Sequence, residues 1–385
     1  MKVLLLTVSA GEGHNSICRA LTNYFDENYS GVEYKQYDLY KGRKKLINRL
    51  CGTTYFNFCK HFIGIANRNF ERLKRRNVDK PSLIANFFVN NAIDFIKEKL
   101  IEFKPDAVFC AHTFAAIAMS RLREQGLDEA IKTRLITIVS DFDVAPYTEF
   151  LTKVDYIITP SDDFDQDLIR RHFDVEKQRI SLGMPIHNKF SKHINKTVAR
   201  KELGLDETKT TILMMNGGVG FGNNIKLIKN LNKANADFQI ISVCGKNEKT
   251  KKQIDKLIAS KKLKNVYNLG FATNVDVLMS ASDLLVGKLG ALTTSEAMCK
   301  GLPILATHKL PWQEYDNMLY LRSKGVCEYI DKNKFAYKRL EEIINNPQKL
   351  SAMQEATKNI RMPNATKDIC SLIVSGTKKR QTNFI

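Results

Sequence analysis

Residues 9–16 read SAGEGHNS and follow the apolar run VLLLTV (3–8) without a break. Gly11 and Gly13 permit close backbone approach, and a helix opening here turns free amides toward an anion. The stretch is not a dinucleotide fingerprint, because the third glycine is missing. It reads either as a phosphate-facing loop with His14 as its one acid–base group, or as an ordinary glycine turn between strand and helix. A second loop, NGGVGFGNN (216–224), also follows a strand-like run and carries Gly217, Gly218, Gly220 and Gly222. The third stretch is GKLGALTTSEAMCKGLPILAT (287–307). It reads as strand, a loop with Gly290, then a helix start bearing Thr293, Thr294 and Ser295, with Glu296 expected in the first turn. A carboxylate there can accept two hydrogen bonds from a ribose diol while helix amides face a diphosphate. The alternative is a capped helix with an acidic first turn. Behind the next strand, Gln313 and Glu314 are offered either to sugar hydroxyls or to solvent. Lys246 and Lys288 are loop cations within the same series of loops.

Loops of this kind need parallel strands to hold them. Apolar runs at 3–8, 107–112, 134–139 and 155–160 alternate with helical patterns, and a second series begins near 210. Its runs are 211–216, 238–245, 265–270, 283–288 and 302–307. Such alternation predicts two doubly wound α/β units, with ligands at the carboxyl ends of the strands and a cleft between the units. The polar, turn-rich 183–197 is the expected linker. The domains are expected at 1–188 and 189–346, and the segment from 347 to 385 as helix followed by the basic tail KKRQTNFI.

The chain has 385 residues and a net charge of +19, with a pI near 9.4. That balance favours an anionic partner: nucleic acid, an anionic membrane or a phosphorylated substrate. The 8 cysteines form no CxxC pair, which excludes zinc-ribbon and thioredoxin-like readings and suits free thiols in a reducing compartment. The first residues lack a signal-peptide pattern, and no apolar stretch approaches the ~20 residues that span a bilayer. Residues 41–76 hold 11 Lys or Arg and one acidic residue, interleaved with Tyr55, Phe56, Phe58, Phe62 and Phe70. This arm suits an interfacial segment on anionic lipid, each basic residue adding ~1 kcal/mol; the alternative is a first-domain surface with packed aromatics. It carries no nucleic-acid recognition motif.

With these residues in place, the chain resembles the glycolipid-forming glycosyltransferases that include processive diacylglycerol glucosyltransferases and monogalactosyldiacylglycerol synthases. The resemblance rests on 3–21, 104–114 (KPDAVFCAHTF), 138–142 (IVSDF), 154–161, 183–186, 216–222, 287–303 and 311–314 (PWQE), in family order. It implies a GT-B fold, two Rossmann-like domains facing a cleft, with a C-terminal helix crossing back to the first. It implies an acceptor- and membrane-facing first domain and a second domain binding UDP-glucose or UDP-galactose. It also implies inversion at the anomeric carbon, no metal and no cofactor. By the same resemblance Glu296 holds the ribose, Gly217–Gly220, Gly290, Thr293 and Thr294 face the diphosphate, and Gln313 and Glu314 hold the sugar. His14 and Asp141 are then the catalytic candidates. The acceptor is expected to be diacylglycerol or a glycolipid, taken at the cytoplasmic membrane face by a peripheral enzyme.

The stretch SDFDVAPYTEF (140–150) departs from the family pattern, with Ala145, Thr148 and Phe150 in place of His, Trp and His. The departure bears on the acceptor rather than the nucleotide. Asp141-Phe142-Asp143 is also a D-x-D behind a strand, a pattern that holds metal–diphosphate in GT-A enzymes; glycine loops in two separate units fit GT-B better. The acidic residues Asp162, Asp163, Asp165 and Asp167 read as a helix start. Two other functions share these features: a UDP-sugar 2-epimerase, and a transferase acting on a non-lipid acceptor. A non-enzymatic binder with a nucleotide pocket is the third.

Overall fold

The computed structural model describes residues 1–9, 12–41, 83–143, 153–162, 179–215, 224–307 and 312–376. The basic stretch 42–82, the glycine loop 216–223, the segment 144–152, residues 163–178 and the tail 377–385 lie outside the described residues. The chain divides into two compact units, 1–188 with 364–385, and 189–363.

The first unit runs β1 (Lys2–Thr7), α1 (Gly13–Asn28), β2 (Glu33–Asp38), α2 (Leu83–Phe103), β3 (Ala107–Cys110), α3 (Thr113–Glu124), α4 (Asp128–Lys132), β4 (Arg134–Ile138), β5 (Tyr156–Thr159) and β6 (Arg179–Ser181). Its sheet has the order β2-β1-β3-β4-β5-β6, with every pairing parallel. Leu4, Leu5, Leu6, Val108, Phe109, Leu135, Ile136, Ile157 and Ile158 are fully buried. Continuous apolar strands of this kind are what a parallel sheet covered on both faces requires.

The second unit runs α5 (Lys196–Glu202), β7 (Thr210–Met215), α6 (Asn224–Leu231), β8 (Phe238–Val243), α7 (Glu248–Lys261), β9 (Val266–Leu269), α8 (Val275–Ala281), β10 (Leu284–Gly287), α9 (Ala291–Cys299), β11 (Ile304–Ala306), α10 (Trp312–Ser323), β12 (Cys327–Tyr329), α11 (Ala336–Ile344) and α12 (Pro347–Ile360). Its sheet has the order β12-β11-β10-β7-β8-β9, again parallel throughout.

The segment from 347 is two helices rather than one. Helix α12 lies in the second unit, and α13 (Ala365–Ser375) belongs to the first. Asn346 caps α12 by accepting from the Lys349 amide, and Pro347 opens it. The α13 end is tied to the first sheet. Arg134 donates to the Ile373 carbonyl at 2.8 Å and Tyr156 to the Gly376 carbonyl at 2.9 Å. A cation at a helix C-terminus satisfies carbonyls that have no partner within the helix. Gly376 sits at φ +66°, and the Arg134 guanidinium fills the space a β-carbon would need.

Three strands lack the apolar runs that mark the others: β2 (EYKQYD), β6 (RIS) and β12 (CEY). All three lie at sheet edges. An edge strand has one hydrogen-bonding side and part of its faces open, so its sequence need not be apolar.

Candidate active site

Because both sheets are parallel, all loops that follow strands gather at one carboxyl edge in each unit. In the first unit these loops carry His14 behind β1, His112 behind β3 and Asp141 behind β4, on adjacent strands.

The loop before α1 is braced by Asn15, whose amide donates to the Ser9 hydroxyl at 3.0 Å while its carbonyl accepts from Thr7 at 3.2 Å. Glu12 is the N-cap residue but makes no side-chain cap bond, and the first turn holds no acidic residue. His14 is therefore set beside a helix start that no side chain caps among the described residues. Its Nδ1 lies 2.7 Å from the Ala111 carbonyl. A carbonyl only accepts, so Nδ1 carries the proton and the neutral ring keeps its lone pair on Nε2. Burial lowers the His14 pKa, opposed by the Ala111 hydrogen bond, and so favours the neutral ring.

His112 is given no role by the sequence, although it lies in the AHTF stretch behind β3. Its ring lies edge-on to His14 with centroids 4.7 Å apart, and its Nδ1 accepts from the Phe114 amide at 3.1 Å as the N-cap of α3. A histidine directly behind a buried strand was the available signal. Asp141 and Asp143 flank Phe142, which is 4% exposed and packs inward. Among the described residues, no three His, Cys, Asp or Glu side chains gather as a metal site would need.

In the second unit, β10 leads through Lys288, Leu289 and Gly290 into α9. Gly290 is the N-cap, with no side-chain cap bond and no acidic residue in the first turn. Glu296 thus stands in the second turn, not the first as expected, because the helix opens at Ala291. Nor do Thr294 and Ser295 cap it: both are buried within the helix. The Thr294 hydroxyl has no hydrogen-bond partner among the described residues. A β-carbon on Gly290 would meet open space, so the helix start stays accessible.

Glu296 is half-buried, and its pKa is pushed up to about 8. Loss of hydration is the main cause; Lys189 opposes it and Asp276 adds to it. Lys189 is itself held by Asp276 at 3.0 Å and by the Thr273 carbonyl at 2.7 Å. Its charge is therefore shared, and Glu296 is left largely protonated at neutral pH. The sequence singled out neither Lys189 nor Asp276, which stand far from Glu296 along the chain.

The sequence offers Glu314 to a sugar and Lys288 as a loop cation, each apart from the other. The structure joins them in an ion pair at 3.0 Å with both side chains mostly buried. Glu314 Oε2 is left buried without a hydrogen-bond partner among the described residues. Asn317, fully buried on α10, donates to the Leu289 carbonyl at 2.9 Å. The α10 helix thus holds the Gly290 loop at two points, and Gln313, half-buried, stands at the start of the same helix. Lys246 lies exposed over the Phe271 ring, at 5.8 Å. Gly217, Gly218 and Gly220 lie outside the described residues, as do Ala145, Thr148 and Phe150.

Two six-stranded parallel sheets in two units, each with polar loops at its carboxyl edge, define a GT-B-like fold. The structure superposes on MurG of Acinetobacter baumannii with a TM-score of 0.63 and 14% identity, over 97% of this chain and 99% of that one. It also matches the UDP-GlcNAc 2-epimerase of Neisseria meningitidis, solved with UDP-GlcNAc, at TM-score 0.60 and 17% identity, over 97% and 100%. Residues 14–186 match the monogalactosyldiacylglycerol (MGDG) synthase model, and residues 211–371 match the glycosyltransferase family 28 C-terminal domain. Together the two models span most of the chain, and its similarity is to glycosyltransferases. Over 373 residues it is 26% identical to a processive diacylglycerol beta-glucosyltransferase of Staphylococcus saprophyticus, covering 96% of this chain and 91% of that protein.

Proposed function

We propose that the protein moves a hexose from UDP-glucose or UDP-galactose to a lipid acceptor, diacylglycerol or a glycolipid, with inversion and without a metal. The observation that carries this reading is the open start of α9 behind β10. Gly290 leaves its amides accessible, the Thr294 hydroxyl is unpartnered, and a desolvated Glu296 follows. Amides at a helix start stabilise a diphosphate as negative charge develops on the leaving group. Glu296, once ionised, accepts from both ribose hydroxyls. The buried, unpartnered Glu314 Oε2 is an acceptor for a sugar hydroxyl.

In the first unit, His14 Nε2 is the base that takes the acceptor's proton, and Asp141, behind β4 and one strand beyond His112, is its companion. The kinship with a diacylglycerol glucosyltransferase across nearly the whole chain supports the lipid acceptor. Among the described residues no helix is long and apolar enough to cross a membrane. A peripheral enzyme at the cytoplasmic face, docked by the basic 41–76 arm on anionic lipid, fits that acceptor.

The test is UDP release from each donor in EDTA, with and without diacylglycerol vesicles containing anionic lipid. Release that requires vesicles and survives EDTA supports donor, acceptor and metal independence together. The fold is shared with a 2-epimerase, and conversion of the sugar without vesicles would replace the transferase reading with that one. Binding of UDP-sugar without turnover would point to a different acceptor, matching the departures at 145, 148 and 150.

A further inference from the structure

The loop behind β3 acts on His14 twice. Ala111 takes its Nδ1 proton in a hydrogen bond, and the next residue, His112, lays a ring against it. The two imidazoles are not equivalent. The Phe114 amide only donates, so His112 Nδ1 must keep its lone pair, and its ring proton sits on Nε2. Protonating His112 would set a donor against a donor at the start of α3. His14 is under no such restraint: its Nε2 can gain a proton while Nδ1 keeps its bond to Ala111.

We propose that His112 is a positioning residue for His14: it walls the ring into one orientation and directs the one further proton that the pair takes up to His14 Nε2. This rests on the reading of His14 as the base. Burial and the nearby His14 both lower the His112 pKa, in the same direction as the amide geometry. Among the described residues, no further ionisable group contributes to the shift at either ring. Glu12 and Arg19 on α1 offset each other at 3.6 Å, and burial keeps the Cys18 and Cys110 thiols protonated. Asp141 stands behind β4 as the next group in the row.

Two variants separate the ring from the cap. His112→Asn keeps an acceptor for the Phe114 amide, since asparagine is a preferred N-cap, and removes the wall. His112→Phe keeps the wall and removes the acceptor. The reading is the His14 ring signal by NMR across pH, assigned with His14→Ala, alongside kcat/KM against pH and UDP affinity. In His112→Asn the His14 pKa should rise toward its ordinary value, the acid limb of kcat/KM should rise with it, and kcat should fall about tenfold. UDP affinity should stay within about twofold, because the donor groups lie in the other unit. In His112→Phe the His14 titration should stay close to that of the parent protein. An unchanged His14 titration in His112→Asn overturns the proposal, and so does an equal loss of kcat and UDP affinity. If His14→Ala keeps full turnover, the base reading fails, while the His14 titration in His112→Asn still decides whether the ring is positioned by its neighbour.

Discussion

At their amino edges the two sheets are held in one way. In the first, Asp155 precedes β5, accepts the Leu135 amide at 2.7 Å and pairs with Arg123 from α3 at 2.7 Å. In the second, Asp283 precedes β10, accepts the Thr211 amide at 2.7 Å and pairs with Arg200 from α5, with Lys196 joining at 2.5 Å. Asp106, ahead of β3, likewise accepts the Lys2 amide at 2.7 Å. Each aspartate satisfies an amide within the first two residues of the neighbouring strand. At their carboxyl edges the sheets differ. The first presents two imidazoles steered by main-chain groups, His14 and His112. The second presents Glu296, held neutral by burial, and the Lys288–Glu314 pair. An edge that only anchors strands has one economical solution, whereas an edge that meets ligands is set by the chemistry it performs.

The largest effect should come from breaking the first carboxyl edge. His14→Ala should lower turnover by about 10²–10⁴ and leave UDP affinity nearly intact. Parallel measurements of kcat and of UDP binding check this, and equal losses would make His14 a binding residue instead.

Next come the amino edges, where the likeness can be graded. Arg200 is nearly buried, with 8% of its side chain exposed against 13% for Asp283. Asp283→Ala strands that charge and should cost ~3–5 kcal/mol. Asp155 is more open, at 41%, and Asp155→Ala should cost ~1–2 kcal/mol. Urea unfolding measures both. The fluorescence of the single tryptophan, Trp312, reports the second unit. Equal costs would show that burial does not distinguish the two anchors.

The third prediction concerns Glu296. Its carboxyl is mostly neutral below about pH 8 in the free protein, and ribose hydroxyls favour the ionised form. UDP affinity should therefore rise with pH through that value, by up to about tenfold per unit below it. Glu296→Gln should flatten the dependence and weaken UDP by about 10–100-fold at pH 9, as the loss of hydrogen bonds to a charged group does. Calorimetry from pH 6.5 to 9 tests it; the same slope in the Gln variant would move the titration to another group.

The last effect, confined to one loop, belongs to Asn317. Its replacement by Ala leaves the Leu289 carbonyl buried and unpaired and should cost ~1–3 kcal/mol. Faster hydrogen exchange at 288–291 would locate the loss in the Gly290 loop. A loss spread evenly over the unit would assign Asn317 to general packing.

Much of the scaffold could be read directly. Val3–Leu6, Ile212–Met214 and Leu284–Val286 announce themselves because a strand buried on both faces must be apolar at every position. The strands β2, β6 and β12 did not, because each is an edge and keeps polar residues. Among the site residues, His14, Gly290 and Glu314 were visible because a short loop behind such a run has a forced location. Glu296 was visible too, but one helical turn too early, since the helix opens at Gly290 rather than at the threonines.

The amino-acid sequence by itself determined that there would be two parallel sheets and which loops would stand at their carboxyl edges, because apolar runs and glycines act within a few residues. Only the tertiary structure decided which groups meet there. His14 and the Ala111 carbonyl lie 97 residues apart in the chain, and they touch because β1 and β3 pair directly. Lys288 meets Glu314, and Asn317 the Leu289 carbonyl, because α10 returns beside the loop behind β10. The neutrality of Glu296 likewise depends on what surrounds it, since charge is governed by solvation and neighbours in space.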